Sequence, residues 1–135
     1  MASASFALQT AVFAALQADA GVRALLASDR ILDHVPQTAR FPYVSLGQSS
    51  ERDWSTGTED GREHILTLHV WSRAAGKREA HEIMGAIRDC LHERALTLGG
   101  WRLVSLRHEF SDARRDGDGE TIHGLVRLRA LTEPV

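Results

Sequence analysis

Residues 63–94 constrain the fold more than any other stretch, because two different periodicities follow each other within it. From Glu63 to Ser72 apolar and polar residues alternate, which is typical of a half-buried strand. The core-facing row is expected to contain His64, Leu66, Leu68 and Val70. The opposite, partly apolar row is expected to contain Ile65, Thr67, His69 and Trp71.

A break at residues 73–76 separates this strand from the longest amphipathic helix that the sequence predicts, which begins at Lys77. Apolar residues there recur at spacings of three and four, as on one side of an α-helix. The predicted buried stripe consists of Ala80, Ile83, Met84, Ile87, Cys90 and Leu91. A helix with one apolar stripe buries it against a sheet or another helix, so we expect this helix to pack on one face of the sheet.

The rest of the chain predicts two N-terminal helices and four further strands. The helices are expected at residues 4–18 and 19–26, and the strands at 30–35, 41–47, 101–110 and 121–130. Pro42 suits the first position of an edge strand. The alternation places Val104, Leu106 and Phe110 on one face of the strand at 101–110. Residues 1–135 are thus expected to form a single α+β domain, with a largely antiparallel sheet of four to five strands, two N-terminal helices and the long helix on one face.

Composition excludes several functional classes. The chain has 135 residues, a net charge of −2, 43% hydrophobic and 25% charged residues, which is ordinary for a globular protein and argues against a general nucleic-acid or membrane-surface binder. Its one cysteine, Cys90, cannot form a disulfide framework within the chain. The longest apolar run, residues 11–16, is far too short to span a bilayer, and a cytoplasmic protein is expected.

The histidine spacing does not predict a metal site. His64 and His69 would lie on opposite faces of one strand, and His81 and His92 would lie about 16 Å apart along one helix. The acidic residues between 112 and 120 lack the spacing of a calcium-binding loop, and they are better explained as turn residues. No serine-nucleophile or phosphate-binding motif occurs. We therefore predict no catalytic residue, no cofactor and no metal.

Two polar segments connect the predicted strands. Residues 48–61 form a long connection in which Trp54 is the one large apolar residue. A long connection in a compact domain is either functional or mobile, and an exposed Trp favours a surface that something covers. Residues 111–120 form a second turn region around Asp-Gly-Asp-Gly.

Four segments carry a resemblance to a known family, through their order and spacing along nearly the whole chain. They are FPYVSLG (41–47), DWS (53–55), HILTLHVWSRAAGKREAHEIMGAIRDCL (64–91) and SDARRDGDGETIHGLVRLRALTE (111–133). Together they resemble the tail completion, or tail terminator, proteins of long-tailed phages and of phage-derived gene transfer agents.

The resemblance implies a structural role without catalysis or cofactors. Such a protein forms a homo-oligomeric ring, usually hexameric, at the head-proximal end of the tail tube. The ring ends polymerisation of the tube protein and presents a docking surface for the head-tail connector. DNA passes through without specific binding. The protein would be made in the bacterial cytoplasm and then become part of the tail.

Contacts in such a ring are expected in the two polar segments. Arg52 and Trp54 in residues 48–61, and Arg114 and Arg115 at the hairpin tip 112–120, are the candidates for contacts with neighbouring subunits or the tube. The simpler alternative is that both segments are solvated loops.

Two other functions remain open at this stage. A monomeric adaptor could bind an extended peptide at the sheet edge 41–47. A small enzyme could use His123 with Glu120, or His108 with Asp112.

Overall fold

The computed structural model describes residues 3–135, so the first two residues of the predicted domain 1–135 lie outside the described residues. The elements follow the expected order of helices, then strands, then a helix, then strands. They are α1 (Ala4–Ala18), α2 (Ala20–Arg23), a 3-10 turn (Ser28–Arg30), β1 (Ile31–Leu32), β2 (Tyr43–Asp53), β3 (Arg62–Ser72), α3 (Arg78–Leu91), β4 (Thr97–Leu98), β5 (Trp101–Arg115) and β6 (Ile122–Pro134).

The strands form one six-stranded, curled half-barrel sheet in the order β1-β2-β3-β6-β5-β4. All neighbouring pairs are antiparallel except β1 and β2. The mixed α+β class is confirmed, but the predicted number of strands was too low. The strand that the sequence missed, β4, has two residues and is too short to show a periodicity.

The helices also differ from the prediction in part. The long helix α3 has 14 residues and is not the longest, since α1 has 15. The second predicted helix, 19–26, shortens to the four residues of α2. Ser3 caps α1 by accepting a hydrogen bond from the backbone N of Phe6 at 3.0 Å, and Asp19 caps α2 in the same way through Val22 at 3.0 Å.

The core lies between one face of the sheet and the helices α1 and α3. Every residue of the predicted α3 stripe is buried, and so is the predicted core row of β3. Both predictions are confirmed. Each fully buried large aliphatic side chain contributes roughly 1.5–3 kcal/mol relative to an exposed one, so this face provides most of the stability.

Strand β5 departs from simple alternation. Leu106 is buried as expected, but Val104 and Phe110 are 51% and 45% exposed. The ladder between β5 and β6 contains two irregularities, one between Leu103 and Ser105 and one between His108 and Phe110. Each inserts an extra residue, and an odd insertion moves the following side chains to the other face. The second irregularity turns Phe110 away from the core.

Candidate assembly surface

The site that the sequence predicted lies on the surface of the sheet opposite the helices and on the two outer sides of the sheet. We call the surface that faces away from α1 and α3 the open face. Side chains that lie directly opposite each other in the ladders share a face. Across the sheet this places Tyr43 beside Trp71, Trp71 beside His123, and His123 beside Arg114 on the open face.

The outer side of β2 is unpaired along most of its length. Strand β1 pairs with β2 only at Val44 and Ser45. We call the remaining segment, Leu46–Asp53, the β2 edge. No other strand in residues 3–135 pairs with it on that side. An unpaired edge presents backbone N–H and C=O groups that can pair with another chain.

The outer side of β5 is also unpaired over its second half. Strand β4 pairs with β5 only at Trp101 and Arg102. Further along, the backbone N of Glu93 donates to the carbonyl O of Leu106 at 2.7 Å, and the backbone N of His108 donates to Nδ1 of His92 at 3.0 Å. We call the segment beyond these bonds, Glu109–Arg115, the β5 edge, and no strand within the described residues pairs with its outer side.

Arg52 and Trp54 occupy different kinds of backbone. The predicted connection 48–61 is too long, because β2 continues through Asp53 and only residues 54–61 lie outside the strands. Arg52 lies on the open face, opposite Glu63, and its Nε is 3.6 Å from Oε1 of that carboxylate. The Arg52 side chain is nevertheless 80% exposed. Trp54 begins the turn, and its backbone N donates to the carbonyl O of Gly61 at 2.9 Å.

The Trp54 ring lies close to Gly61 of its own hairpin. Gly61 lies close under it, since a methyl group added to Gly61 would be 3.3 Å from the Trp54 ring and 2.8 Å from the Trp54 carbonyl O. The residue is still 49% exposed. Half of a large aromatic side chain therefore faces solvent at the end of the β2–β3 hairpin.

Arg114 and Arg115 also lie on a strand and not at a hairpin tip. The predicted tip 112–120 is too long, since β5 continues through Arg115 and β6 starts at Ile122. Arg114 lies opposite His123 on the open face, whereas Arg115 lies opposite Ile122 and on the other face. Nη1 of Arg115 donates to the carbonyl O of Gly119 at 3.4 Å. Both arginines are exposed.

The turn between β5 and β6 is organised by Asp118, as its sequence predicts. Oδ1 of Asp118 accepts hydrogen bonds from the backbone N of Glu120 at 2.9 Å and of Thr121 at 2.8 Å, and Oδ2 accepts from the Thr121 hydroxyl at 2.7 Å. These bonds, above all the one from the Thr121 backbone, lower the pKa of Asp118 to about 2. The acidic run thus has a local structural role.

The four predicted contact residues therefore lie in two separate regions of the sheet. Arg52 and Trp54 lie on the β2 side of the sheet, and Arg114 and Arg115 lie on the β5 side, with β3 and β6 between them. The two hairpins also end at opposite ends of the sheet, because the β2–β3 turn lies where β6 ends and the β5–β6 turn lies where β3 ends. A ring of identical subunits needs two different patches of this kind on each subunit.

A row of aromatic and histidine rings on the open face was missed by the sequence analysis. Trp71 stacks on His123 with centroids 4.0 Å apart and an interplanar angle of 4°. Nδ1 of His69 lies 2.7 Å from Nε2 of His123. Tyr43 continues the row at 6.2 Å from Trp71, and Nε1 of Trp71 donates to the hydroxyl of Ser45 at 3.0 Å. The alternation of β3 predicted that His69 and Trp71 share a face, but their partners depend on the pairing of strands far apart in sequence.

The histidines of this row are positioned to remain neutral. Burial is the largest cause that lowers the pKa of both His69 and His123. His123 and Arg114 lower the pKa of His69 further, whereas for His123 the carboxylates of Asp116 and Asp112 oppose the shift and Arg114 adds to it. Gly47 is required beside this pair, because a side-chain carbon at residue 47 would overlap the imidazole of His69. A neutral pair can share one hydrogen bond, with one ring donating and the other accepting.

The His/carboxylate pairs of the enzyme alternative do not form. His123 is bonded to His69, and His108 lies 2.6 Å from the hydroxyl of Ser111 through its Nε2. Neither has a hydrogen bond to Glu120 or Asp112 among the bonds that the structure shows. Across residues 3–135 there is no group of three or more potential ligands that could hold a metal ion, and every helix there is too short or too polar to cross a bilayer.

The strand edge proposed for a monomeric adaptor is partly occupied. Within residues 41–47, Val44 and Ser45 already pair with β1. Phe41 and Tyr43 pack against each other at 5.1 Å, and the Arg73 guanidinium lies 4.2 Å from the centre of the Phe41 ring. An added peptide strand at this position would have to displace β1.

Comparison with known proteins identifies the family. The model of the tail completion protein gp17 family matches residues 10–133. The tail completion protein gp17 of Bacillus phage SPP1 is 27% identical over 89 residues, which is 66% of this chain and 66% of the phage protein. The structure of the SPP1 gp17 protein covers 94% of this chain and 89% of its own, with a TM-score of 0.65 and 24% identity, and it supports the fold.

A second solved structure is more similar. A chain in the virion of a native gene transfer agent particle covers 98% of this chain and 99% of its own, with a TM-score of 0.89 and 33% identity. The family consists of structural virion proteins and not of enzymes. The family match extends over almost the whole length, and the chain therefore belongs to the tail completion protein gp17 family.

Proposed function

We propose that this chain folds as a single domain and forms a closed homo-oligomeric ring that caps the head-proximal end of a phage or gene-transfer-agent tail tube. Six subunits are proposed, the number that the resemblance to tail terminator proteins implies. The ring ends polymerisation of the tail tube protein and provides the surface on which the head-tail connector docks. Assembly takes place in the bacterial cytoplasm, before the ring becomes part of the finished tail.

The observation that supports this proposal most strongly is the likeness to a chain of a gene transfer agent virion, because it extends over both chains from end to end. The surface chemistry agrees with it. Arg52 and Trp54 are exposed on the β2 side of the sheet. Arg114 and Arg115 are exposed on the β5 side, one on each face. These residues are the proposed contacts with neighbouring subunits or the tube.

DNA is proposed to pass through the ring without specific binding. The net charge of −2 offers phosphates no excess of cations, and several arginines already have carboxylate partners. Nε of Arg129 lies 2.7 Å from Oε2 of Glu63, and Nη1 of Arg107 lies 2.8 Å from Oε1 of Glu93. We expect no gel shift of duplex DNA by the purified chain at physiological salt, and a tight shift would contradict this part.

The function as a whole is tested in the host by deleting the chain and restoring it. Without it, electron microscopy should show tails of uncontrolled length that do not join heads. The wild-type chain should restore a uniform length, and an Arg115→Ala variant should restore it less completely. Tails of normal length that carry heads in the absence of the chain would overturn the proposal.

A further inference from the structure

The two free edges of the sheet lie on opposite sides and at opposite halves of their strands. The β2 edge, Leu46–Asp53, is the second half of β2, since β1 occupies the first half. The β5 edge, Glu109–Arg115, is the second half of β5, since β4 and the chain at His92 and Glu93 occupy the first half. Neither free segment contains a proline, which would have blocked backbone pairing.

The strand directions allow these edges to pair between copies. Strands β2 and β6 run one way, and β3 and β5 run the other way, because every neighbour among these four is antiparallel. If equivalent copies follow each other around a ring, β5 of one copy meets β2 of the next in the antiparallel direction. Antiparallel pairing of this kind extends a sheet from one subunit to the next.

Charge and aromatic character select one register. Arg52 lies on the open face of β2, and Phe110, Asp112 and Arg114 lie on the open face of β5. With Arg52 opposite Asp112, opposite charges pair, and counting along both strands places Trp54 opposite Phe110. These are two of the large hydrophobic side chains left exposed in the subunit, at 49% and 45%. Cross-strand pairs of both kinds stabilise a sheet.

The neighbouring registers fit less well. A shift of two residues keeps the faces matched and places Arg52 either opposite Arg114, with like charges together, or opposite Phe110, with Asp112 facing Ser50. A shift of one residue turns Arg52 and Asp112 to different faces. We infer, on the basis of the ring proposed above, that the β5 edge of each subunit pairs antiparallel with the β2 edge of a second copy of this chain, with Arg52 opposite Asp112.

The stagger that this register requires agrees with a closed sheet. Within one subunit Asp112 lies opposite Leu125, which lies opposite His69 of β3. Arg52 lies opposite Glu63, which precedes His69 by six residues in β3. A shift of about 20 Å along the strands over a width of about 19 Å for four strands corresponds to a tilt of about 45°. Closed barrels have strand tilts of about 35–45°.

The same stagger keeps the short strands from colliding. Arg115 would lie opposite Ser49 of the next copy, so β5 ends before it reaches the part of β2 that β1 occupies. In the other direction β2 ends at Asp53, opposite Ser111, before it reaches the part of β5 that His92 and β4 occupy. Strands β1 and β4 thus limit the pairing to the two free segments.

Disulfide trapping in assembled tails tests the register. A chain carrying both Ser50→Cys and Arg114→Cys places the two thiols directly opposite each other across the interface, within the Cα separation that a disulfide allows. The matched control carries Asp53→Cys and Ala113→Cys, which lie diagonally at about 7–8 Å in the proposed register and leave Arg52 and Asp112 in place. A second test pair, Asp53→Cys with Ser111→Cys, also lies directly opposite in the proposed register, and it removes no arginine. Cys90 is buried, and burial raises its pKa to about 11, so it stays unreactive.

After mild oxidation of purified tails, a non-reducing gel should show a ladder of covalent multimers for both test pairs. We expect at least a tenfold excess of linked chain over the control pair and over the single-cysteine variants. Tails that contain the chain at their head-proximal end but give no ladder with either test pair would overturn the edge pairing and leave the ring proposal intact. Tails from which the wild-type chain is absent would overturn the ring proposal itself.

Discussion

The two faces of the sheet are formed by alternate residues of the same strands, yet their side chains have different surroundings. On the core face of β3, Leu66, Leu68 and Val70 are at most 5% exposed and pack under the helices. On the open face, His69 and Trp71 are half-buried and meet other polar and aromatic rings. Stability should therefore depend on the core face, and assembly on the open face and its edges.

The largest effect on stability is expected on the core face. Leu68→Ala removes a fully buried side chain, and we expect the free energy of unfolding to fall by about 3 kcal/mol because a cavity remains. The matched change on the open face of the same strand, Thr67→Ala, should cost less than about 1 kcal/mol. Urea unfolding followed by circular dichroism measures both, and equal losses would contradict the division between the faces.

A smaller loss in the free energy of unfolding is expected at Gly47, where the His69 imidazole lies close to the backbone of β2. Gly47→Ala forces the His69 imidazole out of its place and should cost about 1–3 kcal/mol, as overpacking does. Gly57→Ala is the control, because no atom lies within 4 Å of an added methyl group there. The double variant Gly47→Ala with His69→Ala should recover part of the loss. No recovery would show that the cost comes from the backbone and not from the ring.

The buried imidazole of His64 should make the free energy of unfolding depend on pH. His64 is 1% exposed on the core face, where its Nε2 lies 2.9 Å from the hydroxyl of Thr132. Burial lowers its pKa, the carboxylate of Glu51 at 3.9 Å opposes this shift, and Arg62 adds to it. Because the unfolded chain binds more protons below the ordinary pKa of about 6.5, the free energy of unfolding should decrease as the pH falls through that value.

Unfolding curves measured between pH 8 and pH 5 test this sign, with urea as the denaturant at each pH. His64→Gln keeps a hydrogen-bonding group near Thr132 and should flatten the dependence. His69, His108 and His123, whose pKa values burial also lowers, supply the remainder. Stability that rises on acidification through pH 6.5 would contradict the assignment.

The core was predictable from the sequence because it depends on local periodicity. The α3 stripe and the β3 row follow from spacings of three to four and of two residues, and all of those side chains are buried. Phe110 was placed on the wrong face because a bulge in β5 depends on its pairing with β6. Strand β4 was missed because two residues carry no pattern.

The candidate site was predictable only in its composition. Trp54 and the arginines near the two hairpins are exposed, and their role as contacts stays a prediction. The strands β2 and β5 extend further than their polar sequences indicate. Polar residues are expected in strands that have a solvent-facing edge, and sequence alone does not distinguish such an edge from a loop. The stacking of Trp71 on His123 requires a register between residues more than fifty positions apart, which no local pattern encodes.

The smallest effect on stability is expected at the edges. Trp54→Ala and Arg52→Ala remove exposed side chains and should change the free energy of unfolding by no more than about 0.5 kcal/mol, yet they should impair incorporation into tails. Phe6→Ala is the control, since Phe6 is 64% exposed on α1 and lies on neither edge. Incorporation is read from gels of purified tails. Equal incorporation of all three variants would show that Arg52 and Trp54 do not contribute to the contacts in the tail.

Single-particle imaging of complete tails, with this chain located by a label, would show the proposed ring itself. We expect a single closed ring of this chain at the head-proximal end of the tube, with a continuous sheet passing from each subunit to the next. Density for the chain along the length of the tube, or as isolated copies without contact between their sheets, would contradict it.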